Sequence, residues 1–187
     1  EMLRGAGWTR LGDGDPVQKS FAARGGQVWR ATRPGDRLRF RFRGTRCAVY
    51  DLLGPKGANV RVTVDGKVVR TAQPRFDSYC WYTRLATLPV YSGPEGVHEV
   101  EIEVLEGQPD RTRVTHEATD TDKYDGTWFQ PCQILLVGEQ EDGAPRAKGW
   151  SVATLNGAPG LYRDGKPVAP VLFWQWKIEE QDAKAMS

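Results

Sequence analysis

Histidine is nearly absent from this chain: His98 and His116 are the only two. No serine or cysteine nucleophile is set beside either one in the sequence, so base-assisted nucleophilic catalysis lacks an evident constellation. The phrases that announce such chemistry are missing too. There is no Gly-Asp-Ser or Gly-x-Ser-x-Gly, no HExxH and no glycine-rich phosphate loop, which removes support for serine hydrolysis, zinc hydrolysis and phosphoryl transfer. Cysteine is sparse: Cys47, Cys80 and Cys132 are odd in number and far apart, which fits neither a metal spacing nor a dense disulfide framework. At most one bridge is available, and the apolar or aromatic neighbours of each (Ala48-Val49, Trp81-Tyr82, Ile134-Leu135) predict three buried thiols. Charge of one sign is also lacking. Lys+Arg 26 against Asp+Glu 24 gives a formal +2, too balanced for the basic footprint of nucleic-acid binding. No apolar run approaches the ~20 residues of a membrane-crossing helix, so no membrane partner is expected.

What is present is alternation. In Leu38-Arg39-Phe40-Arg41-Phe42-Arg43 the apolar residues fall on even positions, and Glu99-Val100-Glu101-Ile102-Glu103-Val104 repeats the pattern with acid on its outer face. Side chains alternate faces along a strand, so these segments predict strands with buried Phe40, Phe42, Val100, Ile102 and Val104. Set antiparallel, they oppose Arg to Glu in a solvated ladder, each contact contributing a few tenths to ~1 kcal/mol. Val60, Val62 and Val64 run into Asp65-Gly66, a hairpin-turn dipeptide, so Lys67 to Arg70 should return antiparallel. Further strands are predicted at Gln27 to Thr32, Ala48 to Leu53, Cys80 to Leu85, Thr112 to Glu117 and Gln133 to Val137. No segment before residue 175 reads as an amphipathic helix. The whole is an all-β pattern, an antiparallel sandwich or jelly roll, in a chain of 187 residues with about 40 to spare. Composition shifts at Gly138 to Gly149, which divides the chain into a sandwich over 1–138, a linker over 139–149, and a hairpin with the start of another domain over 150–187.

Three phrases in fixed order now carry a resemblance: Gly44-Thr45 after a Phe-rich strand, Val64-Asp65-Gly66-Lys67 closing the next, and Gly96-Val97-His98 opening a long one. They resemble the galactose-binding-like sandwich domains of secreted carbohydrate-active enzymes, particularly those preceding the catalytic domain in some SGNH-type esterases and multidomain glycoside hydrolases. A second phrase, Tyr162-Arg163-Asp164-Gly165-Lys166-Pro167 followed by Val171 to Trp176, resembles the entry into the (β/α)8 barrel of retaining glycosidases, although an ordinary Asp-Gly hairpin gives the same letters. The helix-favouring stretch Ile178 to Met186 has nothing of its own to pack on, which on this resemblance implies a barrel cut off after its first strand. The family's catalytic carboxylates fall beyond Ser187, so none is carried over. The resemblance implies a non-catalytic carbohydrate-binding or accessory module of a larger, secreted or periplasmic bacterial glycoside hydrolase. Its partners would be a glycan or the catalytic domain of the same polypeptide. The alternatives are a purely structural interaction module and a small SGNH-like esterase or hydrolase.

Seven Trp, six Tyr and six Phe supply the candidate site, because flat amphipathic rings suit sugar faces as well as cores. The candidate ligand-binding residues are Trp29, Arg75, Asp77, Tyr79, Trp81, Tyr124 and Trp128. A strand through Tyr79-Cys80-Trp81-Tyr82 would put Tyr79 and Trp81 on one face, with Asp77 or Arg75 placed to bond hydroxyls. The competing place for each ring is the core. Asp120, Asp122 and Asp125 are a weak candidate for structural Ca²⁺, which takes hard oxygen ligands, though their spacing departs from the EF-hand loop; no other cofactor is expected.

Overall fold

The computed structural model describes residues 2–140, 150–155, 158–163 and 166–167, the last three segments as backbone pairing alone. In chain order the elements are β1 (Leu3–Arg4), β2 (Thr9–Arg10), α1 (Pro16–Gly25), β3 (Trp29–Arg30), β4 (Arg37–Leu53), β5 (Asn59–Val64), β6 (Lys67–Pro74) and β7 (Arg84–Val104). A 3₁₀ turn (Arg111–Arg113) follows, then β8 (Gln130–Gln140), β9 (Trp150–Leu155), β10 (Ala158–Arg163) and β11 (Lys166–Pro167). The architecture is the antiparallel all-β sandwich that the alternation predicts.

Two long strands, β4 and β7, pair antiparallel along their whole length. Their first stretch extends into a sheet ordered β1-β4-β7-β5-β6, while β8 joins β4 at the far end. Bulges interrupt the β4–β7 ladder between Gly44 and Arg46 and again between Cys47 and Ala48. Before the first bulge the buried residues of β4 are even-numbered (Leu38, Phe40, Phe42); from Cys47 to Asp51 they are odd (Cys47, Val49, Asp51). An inserted residue shifts side-chain parity and bends the strand, so both halves of the ladder turn their apolar faces onto one core. That core joins Phe40, Phe42 and Val49 to Val60, Val62, Val64, Leu88, Val100, Ile102, Val104 and Ile134. Gly44 is required at the bend: a Cβ there would stand 2.2 Å from the Val137 carbonyl oxygen and 2.7 Å from Gly138 Cα.

The charge ladder forms in the predicted register, with Arg39 opposite Glu101 and Arg41 opposite Glu99. Arg39 pairs with Glu101, and Glu103 receives Arg37 at 3.0 Å and Arg61 at 3.1 Å from the two flanking strands. Asp65 and Gly66 hold φ of 51° and 75°, the positive pair that a two-residue hairpin needs. The Asp65 carboxylate bonds His98 Nδ1 at 2.8 Å, and this bond is the largest influence holding Asp65 below its ordinary pKa. His98 is thereby part of the hairpin's structure.

Four expectations are corrected. The helix α1 was not legible as an amphipathic stripe, because its apolar contact is limited to Val17 and Phe21 and a buried amide anchors it beside them. Buried Gln18 accepts from Val28 N–H at 2.8 Å and donates to the Gly26 carbonyl at 2.9 Å, while Asp15 caps the first turn ahead of Pro16. Strand at 27–32 contracts to Trp29–Arg30, and 112–117 is the 3₁₀ turn and the loop after it. Residues 80–82 are a turn, with strand beginning at Arg84. All three cysteines are buried and unbridged, and removal from water pushes the thiols up to about 12, 11 and 12 in chain order.

Backbone pairing shows β9–β11 as a separate three-stranded sheet, with Tyr162 opposite Pro167 in the hairpin that the sequence anticipates. The rest of the linker, residues 141–149, and the helix-favouring stretch 178–186 lie outside the described residues.

Candidate functional site

The turn after β6 is built around two side chains. Asp77 accepts the Tyr79 N–H at 2.9 Å through its carboxylate and the Cys80 N–H at 3.1 Å through its carbonyl, and it pairs with Arg84 across the turn. Cys80 points inward, fully buried, among Leu53, Phe76, Val114 and Tyr124. A small apolar residue anchored at the centre of a tight turn leaves its neighbours outside. Tyr79, Trp81 and Tyr82 are accordingly 58%, 41% and 42% exposed. Trp81 meets Tyr82 edge-on with centroids 4.6 Å apart and His116 at 6.2 Å. Edge-to-face contacts of this kind fix rings relative to one another, so Trp81, Tyr82 and exposed His116 form a solvent-facing platform, with Tyr79 exposed beside it in the same turn.

The loop carrying His116 is secured from below. Asp110 caps the 3₁₀ turn through Thr112, a bond that lowers the Asp110 pKa. Arg111 lies over the Phe76 ring at 4.4 Å and donates to the Gly126 carbonyl at 2.9 Å; loss of water lowers its pKa. The Tyr124 hydroxyl donates to Glu117 at 2.6 Å, and burial together with that carboxylate pushes the phenol up to about 12.

The structure therefore brings together Asp77, Tyr79 and Trp81 of the predicted set, and adds Tyr82 and His116. It separates the others. Arg75 is a correction: it is buried and makes two 2.7 Å bonds to Asp51, itself without solvent exposure, so it braces the core and reaches no ligand. Removal from water drives the Asp51 carboxyl above its ordinary value, and Arg75 opposes that shift. Tyr124 is a second correction, 1% exposed and packed edge-on against Phe76. Trp128 is half-buried with Arg30 stacked 4.1 Å from its ring centroid and Lys56 at 5.2 Å, so cations occupy the ring surface that a sugar would need. Trp29 lines a separate cavity of about 400 Å³. Among the described residues no three His, Cys, Asp or Glu side chains are grouped to hold a metal, Asp120, Asp122 and Asp125 included, and Asp125 accepts from Gln108. Neither histidine bonds a serine or thiol among the described residues.

The missing members could have been anticipated only in part. Tyr82 follows from reading 77–82 as an Asp-initiated turn, whereas His116 reaches Trp81 from 35 positions away and leaves no local signal.

No family model and no curated protein matches this chain. Among solved structures it is similar to a two-domain esterase active on acetylated mannans, at 16% identity and TM-score 0.49, over 77% of this chain and 35% of that one. It is also similar to a family two carbohydrate esterase from Clostridium thermocellum in complex with cellohexaose (16%, 0.42, 76% and 35%) and to Paenibacillus xanthan lyase (14%, 0.41, 69% and 13%). The chain spans about a third or less of the length of these proteins.

Proposed function

We propose that this chain is a non-catalytic carbohydrate-binding module of the galactose-binding-like kind, belonging to a larger secreted carbohydrate-active enzyme. The observation that carries the reading is the Trp81–Tyr82 platform with Tyr79 beside it: three large rings held in water by a turn whose only inward side chain is Cys80. Exposed rings fixed on one surface stack on the apolar face of a pyranose, each contributing about 0.5–1.5 kcal/mol beyond burial. His116 supplies a polar group that orients hydroxyls, while both Asp77 oxygens are held within the turn by Tyr79 and Arg84. Binding by one such platform is weak on its own, and it serves by holding a catalytic neighbour near its polymer.

Titration against a glycan array tests the reading, with Trp81→Ala as the variant. Trp81 carries none of the core, so the variant keeps its circular dichroism and thermal transition, and its affinity falls about tenfold through loss of one stacked ring and its edge contacts. Absence of binding to any glycan, or binding that Trp81→Ala leaves unchanged, overturns it.

A structural role is the second reading, and the outer face of β8 favours it. Val137 and Leu135 are 59% and 40% exposed; Leu135 lies beside Ala48 and Pro89 of the adjoining strands, and Val137 lies opposite Arg46. Such a face suits packing against the catalytic domain of the same polypeptide.

A further inference from the structure

The cavity that holds Trp29 has a chemistry different from the platform's. Its walls are Leu3, Leu38, Cys132 and Ile134 with the Trp29 indole, and three polar side chains, Arg10, Gln27 and Gln133, reach it. Arg10 and Trp29 are directly opposed partners on the β2–β3 ribbon, which places both side chains on one face of it. Among the described residues the Arg10 side chain has no ion pair or hydrogen bond, and the Gln133 amide has none either. The Gln27 amide nitrogen is already committed to the Leu11 and Val28 carbonyls at 2.9 Å each. The site thus combines an apolar body, one flat ring, one unpaired guanidinium and one uncommitted carboxamide, within the size range of about 300–1,000 Å³ in which small-molecule pockets fall.

These features select against a sugar here. A pyranose presents hydroxyls around its whole rim, and most of them would meet Leu3, Leu38 or Ile134 and lose their water without a partner, at about 1–3 kcal/mol each. The opposite composition, a flat apolar ring with one anionic end, leaves nothing unpaired: the ring lies on Trp29 and the carboxylate takes the fork of Arg10. Cys132 adds apolar surface only, since burial holds its thiol protonated at about 12.

We propose that this cavity is a binding site for a small aromatic carboxylate of the cinnamate or benzoate class. The site shares no residue with the platform, so it stands whether or not the platform binds glycan.

The test is a cinnamate titration of the whole chain followed by calorimetry and by ¹⁵N-resolved NMR, with the Trp29 indole N–H assigned from the Trp29→Phe spectrum. Saturable binding is expected, with the Trp29 indole signal shifting and the Trp81 signal still. Cinnamamide, identical in shape but uncharged, should bind about tenfold more weakly or worse, and cinnamate to Arg10→Met should weaken by a similar factor, the usual worth of a charge-assisted hydrogen bond. Arg10 is exposed and outside the core, so that variant should fold; the amide comparison gives the same information without any substitution. No saturable binding at millimolar cinnamate overturns the proposal. So does equal affinity for acid and amide, tighter binding of glucuronate than of cinnamate, or shifts confined to Trp81.

Discussion

Replacing Arg75 by Ala separates a structural arginine from a ligand-binding one. Arg75 makes a two-point contact with Asp51, Nε to Oδ2 and Nη2 to Oδ1 at 2.7 Å each, and the two side chains are 5% and 0% exposed. Removing one partner of a buried pair leaves the other charge without water or counter-ion, which costs about 3–5 kcal/mol. Against a typical total stability of about 5–15 kcal/mol that is a large fraction, and it corresponds to a fall in Tm of about 6–20 °C for a domain of this size. Urea unfolding followed by tryptophan fluorescence measures it. The pH dependence supplies a second reading with a fixed sign. Burial already raises Asp51, and Arg75 is the main force pulling it down, so deleting Arg75 raises it further. A carboxyl whose folded pKa is raised destabilises the fold above that value and ceases to do so once protonated. The penalty of Arg75→Ala is therefore widest near neutral pH and shrinks as the pH falls toward the ordinary carboxylate range near ~4. The double variant Asp51→Leu/Arg75→Met, which removes both charges, recovers most of the loss. A penalty below about 1 kcal/mol, typical of a solvent-exposed pair, refutes the assignment. A penalty that grows on acidification, or a double variant no better than the single one, does the same.

Gly44→Ala should destabilise by about 1–3 kcal/mol, as forced overpacking does, because the new Cβ meets Val137 and Gly138 backbone that cannot rotate away; equilibrium unfolding checks it, and a neutral result shows that the β4–β8 crossing is looser than described. The three thiols, held at about 12, 11 and 12, should stay unmodified by a thiol reagent at pH 8 in the native state and all react in denaturant. Rapid native labelling of any one of them contradicts its burial.

How much of this was legible follows from the range over which each feature is determined. The strand faces are local: Phe40, Phe42, Val62, Val64, Val100, Ile102 and Val104 alternate with charge, and all are buried. The ladder register is legible for the same reason, since a one-residue slip would put Arg39 and Arg41 in the core. The parity change after Gly44 was not, because a bulge is visible only once β8 is known to cross there at backbone distance. Arg75 was misread as a ligand residue for a comparable reason: its partner Asp51 lies 24 positions away on another strand, and an arginine's sequence neighbours do not reveal whether its charge is neutralised inside. The platform is the most instructive case. Tyr-Cys-Trp-Tyr has strong strand propensity, and as a strand it would have buried one face; Asp77 instead accepts the second N–H along and closes a turn. Local propensity and observed conformation conflict at that point, and the conflict leaves three large rings in water at a cost that folding alone does not explain. Departures of this sort tend to fall at functional sites, and this one coincides with the solvent-facing ring cluster proposed here to meet a sugar.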